Sequence, residues 1–203
     1  VAAGGVAGGI REIYLEGHST LPRRSIRMYV NAATAGVAPI RLMDPNGHVV
    51  FSTPPVAVKP QAVAGDAPWR DGFGYADPVE LAVPTLPSGV YFWEGIGRMI
   101  VRSAAPTDIC VLYPSNTECA YNEAGGRSFY VPPPPLHGSE LSFRRPWSGA
   151  TYRYASAFYK WFSREHGYTV NHICDFDLET PGILDHSKLL IVVGHSEYWS
   201  REA

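Results

Sequence analysis

Asp108-Ile-Cys-Val-Leu-Tyr113 is a continuous apolar run, and Lys188-Leu-Leu-Ile-Val-Val193 is a second of the same kind. Such runs, without polar alternation, belong to strands buried on both faces, as in parallel sheets. Between them lies the clearest helical pattern of the chain. Tyr154, Ala157, Phe158, Trp161 and Phe162 recur at helical spacing, with Gly167 placed to stop the helix. Tyr168-Thr-Val-Asn-His-Ile-Cys174 reads as a strand, 178–186 as a short helix broken near Pro181-Gly182, and Tyr198 onward as the start of another helix. The order β-α-β-α-β-α with right-handed crossovers predicts a parallel sheet. Three strands amount to half of an ordinary doubly wound domain.

Working outward, the pattern changes at Ser103-Ala-Ala-Pro106. Upstream, Ser25-Ile-Arg-Met-Tyr-Val30 alternates polar and apolar, and Asp44-Pro-Asn-Gly47 is a turn between two short strands. Further strands are expected at 79–83, 90–94 and 98–101. Short strands at this spacing predict an antiparallel β-sandwich. The expected organisation is a flexible Gly/Ala-rich segment, 1–9, a β-sandwich domain, 10–104, and the first half of an α/β domain, 105–203. The stretch from Pro114 to about Ser148 reads as a long loop, with Pro132–Pro135 extended on the surface.

Composition narrows the function. Of 203 residues, 17 are Lys or Arg and 19 are Asp or Glu, so nucleic acid and anionic membranes are excluded as partners. No run approaches the roughly 18 apolar residues of a membrane span. Three cysteines are too few for a disulfide scaffold. The first residues lack a signal-peptide pattern, so a cytoplasmic protein is expected.

Ligands of parallel α/β sheets bind outside the carboxyl ends of the strands. Two segments leave such ends, one from Tyr113 to Gly126 and the other Gly194-His-Ser-Glu-Tyr-Trp199. His195 and Glu197 point the same way if the backbone is extended. Together they can share a metal or divide acid–base and ligand roles; equally, Glu197 can favour a helix dipole and His195 cap a strand end. Ser196 suits a helix N-cap better than a nucleophile elbow, because Tyr198 stands where that motif needs glycine. Gly125-Gly126 lacks the spacing of a phosphate loop. His18, His48, His137, His166, His172 and His186 read as structural. Cys110 and Cys174 read as buried thiols, and Cys119 as a loop thiol with no evident cation beside it. Arg144-Arg145 can orient an anion or a loop carboxylate, or form a solvated turn.

A family resemblance rests on several segments. Pro87-Ser-Gly-Val-Tyr91, Asn116-Thr-x-x-Ala-Tyr-Asn122, Gly125-Gly126, Ser128-Phe-Tyr130, Ser142-Phe-Arg-Arg-Pro146, Asp175-Phe-Asp177 and Gly194-His-Ser-Glu-Tyr-Trp-Ser200 occur in that order. From about Arg23 to the end the chain resembles the large (β) subunit of N,N-dimethylformamidase. The resemblance implies a β-sandwich followed by a three-layer α/β domain of the glutamine-amidotransferase class. It also implies an amidohydrolase that cleaves N-substituted formamides to formate and amine, using a mononuclear Fe(III). By motif, Tyr121, Glu197 and Tyr91 match the iron ligands, and His195 matches the histidine beside the glutamate, expected to move protons. Two phenolates and a carboxylate are hard donors suited to Fe(III). Tyr91 reaches such a site only if the sandwich and the α/β domain pack tightly.

Asn116, Tyr198, Trp199 and Trp147 are candidates to line the pocket of a small amide substrate. The family's further catalytic Asn and Glu lie beyond the Gly-His-x-Glu motif. The resemblance therefore implies a metal half-site here, and a second polypeptide or C-terminal continuation that completes the α/β domain. An oligomer is expected. The competing readings are a non-catalytic sandwich and amidotransferase-like module that binds carbohydrate or a protein partner, and a metal-free hydrolase using Ser196.

Overall fold

The computed structural model describes residues 9–149, 151–165 and 167–203. Apart from Gly9, the expected flexible segment lies outside these residues, as does His166.

Alternation builds the first part of the chain. It runs through β1 (Ile10–Leu15), β2 (Ser19–Thr20), β3 (Ser25–Ala32), β4 (Gly36–Ala38), β5 (Arg41–Met43), β6 (Val49–Ser52) and β7 (Val56–Val58). A single helical turn, α1 (Pro68–Asp71), precedes β8 (Pro78–Ala82), β9 (Gly89–Trp93) and β10 (Gly97–Val101). In β3, Ile26, Met28, Val30 and Ala32 point inward while Ser25 and Arg27 are exposed, the period-two pattern of a half-buried strand. One sheet has the order β1-β3-β8 and the other β2-β10-β9-β5-β6. Ile13, Met28 and Val30 of the first sheet share a core with Leu42, Trp93 and Met99 of the second. Two sheets thus face each other across one apolar layer.

β9 departs from alternation for a physical reason. Tyr91 and Trp93 face the inter-sheet core, while Val90 and Phe92 join Ile100 in a second cluster with the α/β part. The strand is covered on both faces, hence its unbroken Val-Tyr-Phe-Trp run.

The rest of the chain holds β11 (Ile109–Tyr113), α2 (Ser115–Tyr121), α3 (Tyr152–Phe162), β12 (Val170–Cys174) and β13 (Leu189–Val192). The three strands form a parallel sheet in the order β12-β11-β13. The central β11 is buried on both faces: Val111 and Tyr113 pack with Tyr159 and Phe162, Cys110 and Leu112 with Ile173 and Leu178.

Several sequence expectations are corrected. β13 is an edge strand with Leu189 50% and Val192 44% exposed, so it is not buried on both faces. The buried face of α3 is Ala155, Tyr159 and Phe162, while Tyr154 and Trp161 are exposed. Arg153, Ser156 and Lys160 form a polar stripe roughly opposite the buried face; the expected stripe is displaced from it because Tyr154 and Trp161 are aromatic yet lie at its margin. α3 ends at Phe162 with Ser163 as its cap, well before Gly167. In place of a helix over 178–186 there is one 3₁₀ turn, Asp175–Glu179, followed by turns. No helix starts at Tyr198, and 193–203 is irregular. The stretch read as a loop after Pro114 contains α2. Pro132–Pro135 lies at the surface but turns, with the Leu136 amide donating to the Pro133 carbonyl at 3.1 Å.

The two parts meet across a polar seam. Arg98 of β10 pairs with Glu118 of α2 at 2.7 Å, both side chains nearly fully buried. Glu118 also accepts from the Tyr113 hydroxyl at 2.6 Å and from the Trp147 indole N–H. Ser19 donates to Asp177 at 2.7 Å, and the His172 amide donates to the Ser88 hydroxyl at 2.6 Å. His18 is packed between Phe143 and Phe176. Burial, with Arg98 nearby, pulls its pKa down to about 3, so it is neutral.

Candidate active site

α2 follows the carboxyl end of the central strand. Ser, Asn, Thr and Cys are weak helix formers, so the helix is held from outside. At its start, the Asn116 amide donates to Asp175 Oδ2 at 2.6 Å. Burial raises the Asp175 pKa to about 6. At its end, Arg145 donates to the carbonyls of Cys119, Asn122, Ala124, Arg127 and Ser142 at 2.6–3.2 Å. Arg145 is 3% exposed. It is neither an anion site nor part of a solvated turn: it organises the loop after the helix through its carbonyls. Its guanidinium also lies 3.4 Å from Cys119 Sγ, a cation the sequence did not reveal. Burial nevertheless raises the Cys119 pKa, so the thiol is inert.

The last residue of α2, Tyr121, projects its hydroxyl to 3.1 Å from His195 Nε2 and 3.3 Å from Glu197 Oε2. His195 Nε2 and Glu197 Oε1 are 2.9 Å apart. The two residues, two positions apart beyond β13, do point the same way. Tyr130 completes the group, its hydroxyl donating to Glu197 Oε2 at 3.0 Å and lying 2.6 Å from the Tyr198 hydroxyl. Its ring stacks on that of Tyr121 with centroids 4.3 Å apart. Hydrogen bonding to Tyr198, then desolvation, raises the Tyr130 pKa. Three phenols, an imidazole and a carboxylate thus converge at the carboxyl ends of β11 and β13. The His195 and Glu197 side chains remain 42% and 38% exposed, so the group is open to small molecules.

The other candidates are placed differently. Tyr91 does not reach the cluster: it is 7% exposed and its hydroxyl donates to the Pro87 carbonyl at 2.9 Å. Burial pushes its pKa up to about 12. It lines a cleft of about 660 Å³ at the seam, and none of Tyr121, Tyr130, His195, Glu197 and Tyr198 lines that cleft. Tight packing across the seam therefore does not bring Tyr91 to the other two candidate ligands. Trp147 packs on Phe92 and Tyr152 in the seam. Asn116 is held at the start of α2, its Oδ1 buried without a partner among the described residues. Trp199 is 46% exposed and its indole donates to the Ser196 hydroxyl at 2.8 Å. That is the partner found for Ser196 among the described residues, and no imidazole among them is hydrogen-bonded to it.

Tyr130 is the site residue that reasoning on spacing missed. Its signal was present in Ser128-Phe-Tyr130, a segment that carried the resemblance without being assigned a role. Among the described residues no group of three or more His, Cys, Asp or Glu is arranged to hold a metal. The donors gathered here are mainly phenolic, and oxygen-rich sets of this kind suit hard cations.

Fold and site together define a β-rich protein whose parallel β-α-β module gathers proton-transfer and oxygen-donor groups at its carboxyl edge. The sequence pattern of the N,N-dimethylformamidase beta subunit-like, C-terminal family matches residues 41–203, and the chain belongs to that family. No curated protein and no solved structure matches it. No helix among the described residues is long and apolar enough to cross a membrane.

Proposed function

We propose that the chain carries the metal half-site of an amidohydrolase that cleaves N-substituted formamides to formate and an amine. The observation that carries this reading is the convergence of Tyr121, Tyr130, His195 and Glu197 in a chain of the dimethylformamidase beta-subunit-like family. Tyr121 and Glu197 would hold a mononuclear ferric ion, with Tyr130 rather than Tyr91 as the second phenolate. When bound, the ion supplies a Lewis acid that polarises the formyl oxygen and lowers the pKa of water.

The chain's own groups account for the remaining chemistry. His195 Nε2 faces Tyr121 and Glu197, and its Nδ1 has no hydrogen-bond partner among the described residues. An imidazole so placed takes a proton from the attacking water and returns it to the amine nitrogen as the C–N bond breaks. Tyr198 and Trp199 offer aromatic surface beside the cluster for the alkyl groups of the amide. The parallel sheet is the first half of an amidotransferase-like domain, 105–203, after a sandwich domain, 10–104. A second polypeptide or further chain covers β13 and supplies the remaining catalytic groups, in keeping with a family described as a subunit.

The assembled protein, loaded with ferric ion, is expected to release formate and dimethylamine from N,N-dimethylformamide in equal amounts. Absence of formate under those conditions would overturn the reading.

A further inference from the structure

Glu197 lies in a segment with no regular structure, yet its carboxylate must meet two phenols and an imidazole. From Gly194 to Ala203, the main-chain amides that find a partner among the described residues are those of Glu197, Tyr198 and Ala203. The first two donate to one atom, Thr117 Oγ1, at 2.8 and 3.3 Å. Thr117 is fully buried. It sits four residues before Tyr121 on α2, so the two side chains share one face of the helix, a turn apart. The Thr117 hydroxyl fixes the backbone of Glu197 while the Tyr121 hydroxyl donates to its carboxylate. Full burial leaves the Thr117 side chain little space in which to change rotamer, so its oxygen stays aimed at these amides.

We propose that Thr117 is a positioning residue: its hydroxyl holds the Glu197 main chain so that the carboxylate stays in register with Tyr121 and His195. This explains why Thr and Tyr are four apart in Asn116-Thr-x-x-Ala-Tyr121. Thr117 itself touches no reacting atom. The inference rests on the proposed metal reading only for what the positioned carboxylate does.

The test compares Thr117→Val, which keeps the shape and removes the acceptor, with Thr117→Ser, which keeps the acceptor. In the metal-free full chain, amide exchange at Glu197 and Tyr198 is expected to quicken at least about tenfold in Thr117→Val. The cross-relaxation between the Tyr121 and His195 rings is expected to be lost with it. Thr117→Ser should restore both, and amides of β11 and β12 should exchange as in the wild type. Titration with ferric ion should show affinity about 10–100-fold weaker for Thr117→Val alone.

Unchanged exchange and ring contact in Thr117→Val would overturn the proposal, as would altered exchange with undiminished ferric affinity. A wild type that takes up no ferric ion, with the metal-free differences intact, would overturn the metal reading and leave the positioning role standing.

Discussion

At the residue scale, His195 and Glu197 illustrate how one spacing serves two tasks. Their carboxylate–imidazole contact of 2.9 Å orients the ring, and Tyr121 meets both side chains. If His195 moves protons, His195→Ala should retain ferric ion and lose turnover on the order of 10²–10⁴-fold. Loss of the ion in that variant would make His195 a ligand instead. Glu118 makes the opposite kind of contribution, since it has no access to substrate. It neutralises Arg98 inside the seam and accepts from Tyr113 and Trp147. Removing its charge leaves a buried guanidinium unpaired, which costs roughly 3–5 kcal/mol. Glu118→Gln should therefore lower stability to denaturant by about that amount, and a loss below 1 kcal/mol would show that Arg98 finds another partner.

At the element scale, α2 is defined by its surroundings more than by its own residues. Asp175, which accepts from the Asn116 amide and the Ser115 hydroxyl, lies 59 residues from Asn116, and Arg145 satisfies the carbonyls at its other end. No local pattern encodes those partners, so the segment reads as a loop in the sequence. β11 is legible because both its faces are buried, and the meeting of the His195 and Glu197 side chains because it follows from their spacing of two. The face of α3 is displaced from the expected stripe because Tyr154 and Trp161 count as apolar by type yet are exposed; the polar stripe Arg153, Ser156 and Lys160 is the better guide to it. The strand-to-helix pattern suggests a helix start at Tyr198; in the structure its amide donates to the Thr117 hydroxyl and no helix follows. Tyr91 matched by motif, but its hydroxyl is engaged by Pro87, a local turn contact that spacing cannot reveal.

The loop between β1 and β2 and strand β12 carry a pH signature. Burial lowers the pKa of His18 to about 3 and of His172 to about 4. The unfolded chain binds protons at both below about pH 6.5, and the folded chain does not until far lower. Stability should thus fall as pH drops from 6.5 towards 4, by on the order of 3 kcal/mol for each histidine. Denaturant titrations of wild type and His172→Gln across that window should converge at low pH; a pH-independent difference would contradict the assignment.

At the scale of the whole molecule, the sandwich supplies a second wall to the α/β core. Val90, Phe92 and Ile100 bury the outer face of one sheet against Val111, Tyr113 and Tyr159. On the opposite side, β13 pairs only with β11 among the described residues, and Leu189 and Val192 are exposed. An apolar, unpaired edge invites another strand or helix. Native mass spectrometry of the active protein is expected to show this chain in a larger assembly; a 22.2 kDa monomer with full activity would contradict that. The proposed oxygen-donor site for a ferric ion at Tyr121 and its neighbours is tested most directly by the visible spectrum during ferric titration. Phenolate bound to ferric ion absorbs visible light, so the wild type should develop colour to a stoichiometry of about one ion per chain. Tyr121→Phe keeps the stacked ring and removes the donor, and Glu197→Gln removes the charge; both should weaken or abolish the band and the binding. A wild type that stays colourless and retains no iron, even within its assembly, would contradict the claim.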